Sequence, residues 1–127
     1  MTPLEMAAQQ GDSEIVTALL AAGTAIDEED GENGFTALDW AIFKNDSKLA
    51  ALLIGAKANV NHADKLGYTP LHWAASLDFG DTGILRLLLR TGADLHARTR
   101  AGLSATQLAI QYEHSENQRV LETALGH

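Results

Sequence analysis

A short helix-start pattern recurs four times in this chain, and the spacing of its copies limits the fold more than any other feature. Gly67-Tyr68-Thr69-Pro70-Leu71-His72-Trp73-Ala74-Ala75 is the fullest copy. Thr69 can cap the free N–H groups of a first helical turn, and Pro70 stands where its missing N–H costs nothing. Thr2-Pro3-Leu4-Glu5-Met6-Ala7-Ala8 has the same form, and Thr36-Ala37-Leu38-Asp39-Trp40-Ala41-Ile42 repeats it with Ala for Pro. Ser104-Ala105-Thr106-Gln107-Leu108-Ala109-Ile110 is a weaker copy. The anchors Thr2, Thr36, Thr69 and Ser104 lie 34, 33 and 35 residues apart. Such a period means stacked units that share one elongated core.

A period near 33 built on a Thr-Pro-Leu-His-x-Ala motif is the ankyrin signature. On these residues the chain resembles an ankyrin-repeat protein over nearly its whole length. The resemblance implies an all-α solenoid of stacked helix-turn-helix units joined by hairpin-like fingers. It also implies a single ankyrin-repeat domain over residues 1–127, with repeats near 1–33, 34–66, 67–101 and 102–127. The pattern predicts helix pairs near 3–10 and 14–22, 37–44 and 47–55, 70–77 and 83–90, and 105–113 and 116–124, with little regular strand.

Almost half of the 127 residues are hydrophobic, enough for a continuous core. With no cysteine, disulfides, thiol catalysis and Cys-based zinc sites are excluded. No apolar run reaches the ~18–20 residues that span a bilayer, and Met1-Thr2-Pro3-Leu4-Glu5 has no signal-like character, so the sequence reads as cytoplasmic. The net charge is −8, concentrated in residues 1–33, which carry eight acidic and no basic residues. That field disfavours nucleic acid and anionic membranes as partners and would steer a basic one. The simpler reading is a solvated acidic loop that aids solubility.

Each repeat departs from the pattern somewhere. Asp27-Glu28-Glu29-Asp30-Gly31-Glu32-Asn33-Gly34 is an acidic finger with one residue beyond the period, and it lacks the alternating ligands and closing Glu of an EF-hand loop. In the second repeat Lys57 stands where Gly23 and Gly92 end their helices. Either Lys57 takes a left-handed conformation or Gly55 ends the helix early. In the third repeat two extra residues enlarge the turn between Ala75 and Ile84. In the fourth, Thr106 replaces the core Leu, and Asn117, Gln118 and Arg119 polarise the outer helix, as a C-terminal cap requires. The first repeat is less polar: Leu4, Met6, Ile15 and Val16 would be partly uncovered there. This predicts an upstream segment or self-association through the N-terminal repeat.

No GxSxG elbow, Walker A loop, GxGxxG turn or HExxH pair occurs, and His62, His72, His96, His114 and His127 are too scattered to form a ligand pair at helical spacing. The chain is therefore expected to have no catalytic residues, no metal and no cofactor. Asn45-Asp46-Ser47 is a formal glycosylation sequon. In the family, an asparagine placed as Asn61 can be hydroxylated, the position of Trp40 and Trp73 faces the next repeat as packing, and the histidine at 72 bonds the neighbouring hairpin backbone.

The resemblance implies a non-catalytic module that binds a partner protein through its concave finger and helix-A face. The family's variable contact positions fall here on Glu32, Asn33, Phe35, Phe43 and Lys44, on Lys65, Leu66, Tyr68, Ser76 and Leu77, and on Arg100, Leu103, Gln111 and Tyr112. Phe35, Tyr68 and Leu103 are equivalent and are expected to align in one row, either as binding anchors or as cover for the finger backbone. The alternative reading is a structural or regulatory segment of a larger protein that packs on its own neighbouring domain.

Overall fold

Helices this short need their ends satisfied, and the repeated Thr or Ser does that work. The structure, a computed structural model, describes residues 1–126 and has eight helices and no strand among them. It is the all-α repeat fold that the period predicts. Contacts gather into two compact units, Met1–Asn59 and the chain from Val60 onward. The first contains α1 (Pro3–Gln10), α2 (Ser13–Ala21), α3 (Ala37–Phe43) and α4 (Ser47–Gly55). The second contains α5 (Pro70–Ser76), α6 (Gly83–Arg90), α7 (Ala105–Gln111) and α8 (Ser115–Leu125). In the first unit α1 packs on α2 and α3, and α3 on α4; in the second α5 packs on α6 and α7, and α8 on α7 and α6.

Each inner helix begins with a reciprocal pair three residues apart. Thr2 N–H donates to Glu5 Oε1 at 3.2 Å while Glu5 N–H donates back to Thr2 Oγ1 at 3.1 Å. Thr36 N–H donates to Asp39 Oδ2 at 3.1 Å, and Thr69 N–H to His72 Nδ1 at 3.0 Å. Ser104 N–H donates to Gln107 Oε1 at 2.9 Å. Four different side chains thus perform one task, the capping box. Two of the outer helices are capped by aspartate: Asp12 accepts from Ile15 N–H and Asp46 from Leu49 N–H, both at 3.1 Å.

The core follows from the same register. Leu4, Leu38 and Leu71 are each 1% exposed; Ala7, Ala41 and Ala74 three residues downstream, and Ala109 at the same place after Thr106, are buried, and the small side chain lets the helices approach closely. Val16, Leu49, Leu53, Leu85, Leu88 and Leu121 fill the outer helices' inner faces.

The tryptophans depart from the expected packing. Trp40 and Trp73 are only half-buried, their ring N–H groups donating to Glu5 Oε2 and Asp64 Oδ2, both at 2.8 Å. The polar tip of an indole needs such a partner, which keeps the ring at the core's margin. Of the equivalent residues, Leu108 is fully buried and Met6 is 49% exposed. In the first repeat Leu4 and Val16 are buried after all, while Met6 and Ile15 stay exposed. Asn117 does not lie on an outer polar face. It is buried, and its side-chain N–H groups reach Ala75 O at 3.2 Å and Leu77 O at 3.1 Å, closing the free end of α5.

The enlarged turn after α5 explains that ending. Gly11, Asn45 and Glu113 end α1, α3 and α7 with φ of 72°, 52° and 59°, whereas Leu77 continues extended from α5 at φ −105°. Asn45 and Glu113 therefore close α3 and α7 one or two residues sooner than the sequence pattern suggests. His114 reaches back to this turn, donating from Nε2 to Ser76 O at 3.0 Å, with Nδ1 3.8 Å from Asp78.

Both alternatives for Lys57 turn out to be parts of one motif. Gly55 is the last residue of α4, and Lys57 is left-handed at φ 78°, as Gly23 is at 92° and Gly92 at 99°. Lys57 N–H bonds Ile54 O and Ala58 N–H bonds Leu53 O, both at 3.0 Å, the paired bonds of a Schellman cap. A side chain in the left-handed region costs ~1–2 kcal/mol, partly offset because glycine loses more freedom on folding. Lys57→Gly is expected to stabilise the protein by about 1 kcal/mol, read as a higher urea midpoint with unchanged slope.

Candidate functional site

The fingers are built around one buried bracket residue each. In the first, Asp30 Oδ1 accepts from Glu32, Asn33 and Gly34 N–H at 3.1, 2.7 and 3.0 Å, and Asp30 N–H donates to Phe35 O at 3.0 Å. In the second, Asp64 Oδ1 accepts from Leu66 and Tyr68 N–H at 2.9 and 3.0 Å, and Asp64 N–H donates to Tyr68 O at 2.9 Å. Thr99 does this in the third, with Leu103 O and N–H. These are side chain-to-backbone turns that hold a tight loop without a second strand. The acidic finger is therefore more than a solvated loop. Asp30 is its buried brace, and Asp27 accepts from Asn59 N–H at 2.9 Å.

Burial alone would push the Asp30 carboxyl up. The N–H groups of Asn33, Gly34 and Glu32, with the Glu5 side chain, outweigh it and hold Asp30 below its ordinary value.

His72 ties helix to finger. Nδ1 accepts from Thr69 N–H, so the ring proton sits on Nε2, which donates to Ala97 O at 3.0 Å and Leu103 O at 3.1 Å. The ring is 1% exposed, so it is a structural group out of reach of any substrate. Burial pushes the imidazole below its ordinary value, against the Ala97 and Leu103 carbonyls and the Asp64 and Asp94 carboxylates, which favour its charged form. Asn61 joins the same two fingers, with its amide N–H to Gly92 O at 3.1 Å and its carbonyl accepting from Asp94 N–H at 2.8 Å. The fingers touch directly where Arg100 N–H donates to Leu66 O at 3.0 Å. A Cβ on Gly67 would lie 2.7 Å from that nitrogen, so only glycine fits there, at φ 78°.

On this frame the first unit brings Phe35 and Phe43 together with Trp40. The rings meet edge to face, with centroids 5.1 Å apart for Phe35–Phe43, 5.9 Å for Phe35–Trp40 and 5.4 Å for Trp40–Phe43. Phe35 and Phe43 are half-buried, while Glu32, Asn33 and Lys44 are exposed around the finger and helix end.

In the second unit Tyr68 lies on Trp73, centroids 4.4 Å apart, and is half-buried. Its phenol is pushed up from the ordinary value by burial, then by Tyr112 and Asp64. Lys65, Arg100 and Gln111 are exposed, Leu66 is 58% and Tyr112 47% exposed, and Leu103 is half-buried. Ser76 and Leu77 are half-buried: the Ser76 hydroxyl donates to His72 O at 2.7 Å, and the Leu77 carbonyl accepts from Asn117 Nδ2 at 3.1 Å. Sequence reading missed the brackets Asp30, Asp64 and Thr99, whose 34- and 35-residue spacing follows the 33 and 35 of the helix caps after them within one residue, the difference being the extra residue of the first finger. It also missed Glu113 and His114 at the α7–α8 turn, where no motif marks them.

Among the described residues no group of three or more His, Asp or Glu side chains is placed to hold a metal ion, and no helix is long and apolar enough to cross a membrane. The family of ankyrin repeats, described as three copies, matches residues 1–64, and a further ankyrin repeat matches residues 66–100. The chain belongs to the ankyrin-repeat family, generally a non-catalytic interaction module. A palmitoyltransferase of Candida glabrata is 36% identical over 94 residues, covering 74% of this chain and 12% of that protein. The RelA-associated inhibitor of Mus musculus is 46% identical over 68 residues, 54% of this chain and 8% of that protein. A tyrosine-protein kinase of Hydra vulgaris is 32% identical over 116 residues, 90% of this chain and 15% of that protein. The chain spans 10 to 12% of the length of the yeast palmitoyltransferases it matches.

The neutral His72 makes stability depend on pH. The unfolded chain takes up a proton near the ordinary value of 6.5, and the folded chain only at lower pH. This contribution is complete above pH 6.5 and is lost as pH falls below it, at up to ~1.4 kcal/mol per pH unit for one proton. Asp30 adds a second loss as pH falls below its ordinary 3.8. Urea titrations between about pH 7.5 and 5.5 are expected to show this decline, and His72→Gln to flatten it.

Proposed function

We propose that residues 1–127 work as one protein-binding domain whose contact surface is formed by the finger tips, the residue before each helix cap and the last turn of each inner helix. The contact residues are Glu32, Asn33, Phe35, Phe43 and Lys44 in the first unit. In the second they are Lys65, Leu66, Tyr68, Arg100, Leu103, Gln111 and Tyr112, with Ser76 and Leu77 shaping the rim. One observation carries the reading: Asp30, Asp64 and Thr99 are buried and hold the backbone of their own fingers, while Leu66 beside exposed Lys65, and Tyr112 at the end of α7, stay about half exposed. Rigid apolar anchors with a polar rim have the composition of a binding hot spot.

A second reading is favoured by the small share of its relatives that the chain spans. As a segment of a longer protein, the same surface would serve a neighbouring domain. The exposed Met6 and Ile15 support self-association at the first repeat as a secondary contact.

Selection of binding peptides from a random display library on the immobilised protein tests the surface. Leu66→Ala and Tyr112→Ala are expected to weaken the selected peptides at least about tenfold, with stability changed by less than ~0.5 kcal/mol, the range of surface substitutions. Peptides insensitive to these variants, or to changes at Phe43 and Lys44, would place the contact elsewhere.

A further inference from the structure

The charge around the second unit's fingers is opposite in sign to that of the whole chain. Against a net charge of −8, these fingers carry exposed Lys65, Arg98 and Arg100. Of the two carboxylates nearby, Asp64 is buried and accepts three hydrogen bonds, and Asp94 accepts from His96 N–H at 2.8 Å. Neither α5 nor α7 contains an Asp, Glu, Lys or Arg. The acidic side chains Asp78, Asp81, Glu113 and Glu116 gather at the other end of these helices, around the two interhelix turns. A helix of seven residues is about 10 Å long, comparable with the ~8–10 Å over which salt screens a charge. A bound segment therefore reads the two ends separately, and at the fingers it meets cations.

Apolar surface lies at the same end. Tyr68 leans on Trp73, and Leu66, 58% exposed, follows Lys65 and accepts from Arg100 N–H at 3.0 Å. Arg98 is held in place by Gly102 O at 2.9 Å, so its charge is presented at low entropic cost.

We propose that this face takes an acidic peptide segment of a partner protein. Its carboxylates meet Arg98 and Arg100, and an adjacent aromatic or aliphatic side chain packs against Tyr68 and Leu66. The proposal rests on the protein-binding reading above and adds the chemistry of the partner. A nucleic acid is the weaker fit, because a polyanion feels the whole net charge, whereas a short acidic segment feels the local one.

The test uses the full chain and peptides from the display selection. The winning peptides are expected to be rich in Asp and Glu next to a large apolar residue, and to shift backbone amide resonances at residues 65–68 and 98–103. Changing their Asp and Glu to Asn and Gln is expected to weaken binding about tenfold, as is Arg98→Gln/Arg100→Gln, with an unchanged melting temperature. Should the double variant fold poorly, Arg100→Gln alone gives the same comparison. Peptides that bind at these resonances without acidic preference would overturn the acidic partner and leave the protein-binding reading standing. Peptides that bind elsewhere, or none at all, would overturn both. An oligothymidylate that shifts the same resonances and competes with the acidic peptide would replace the protein partner with a nucleic acid.

Discussion

Everything in this structure depends on how helices of seven to eleven residues end. Alone in water such helices are marginal, because nucleation costs more than so few hydrogen bonds return. Here each inner helix starts on a hydroxyl residue paired with the side chain three residues on. Because that side chain differs between copies, each pair can carry a second task. Glu5 also accepts from the Trp40 indole, and His72 also reaches two carbonyls of the following finger. The cap is thus where local helix formation is joined to the contact between repeats.

The fingers show how a loop can be rigid without a sheet. A single buried oxygen collects three backbone N–H groups at Asp30, two at Asp64 and one at Thr99, so much of each loop's backbone is satisfied by its own side chain. What remains outside is free to vary without loss of fold. That separation suits a surface for recognition: rings and cations can be exchanged at the tips while Asp30, Asp64 and Thr99 hold the backbone beneath them. The local balance of charge matters more at such tips than the total, since screening confines each charge to its own neighbourhood.

Much of this was legible in the chain itself. Thr2, Thr36, Thr69 and Ser104 marked all four inner helices, and the apolar spacing of α2, α4 and α6 marked their partners. The contact positions could be named, because register assigns a residue to a finger or a helix end. Their accessibility could not. Ser76 and Leu77 occupy the same register as Phe43 and Lys44, yet the two-residue insertion after them turns the chain inward, where Asn117 and His114 meet it.

What the sequence determined alone was therefore the repeat, the helices and the register that assigns each residue to a finger or a helix end, because those follow from period, capping and steric preference within a few neighbours. Only the tertiary structure decided the partners. Asn117, which looks like a solvent-facing cap residue, is buried because three carbonyls at the end of α5, some forty residues earlier, need a donor. Trp40 and Trp73 look like core and stop at its margin because each indole N–H has a buried carboxylate to meet. In both cases a polar group outside the residue's own helix outweighs the preference of the residue itself. That group has no signature in the sequence around the residue it recruits.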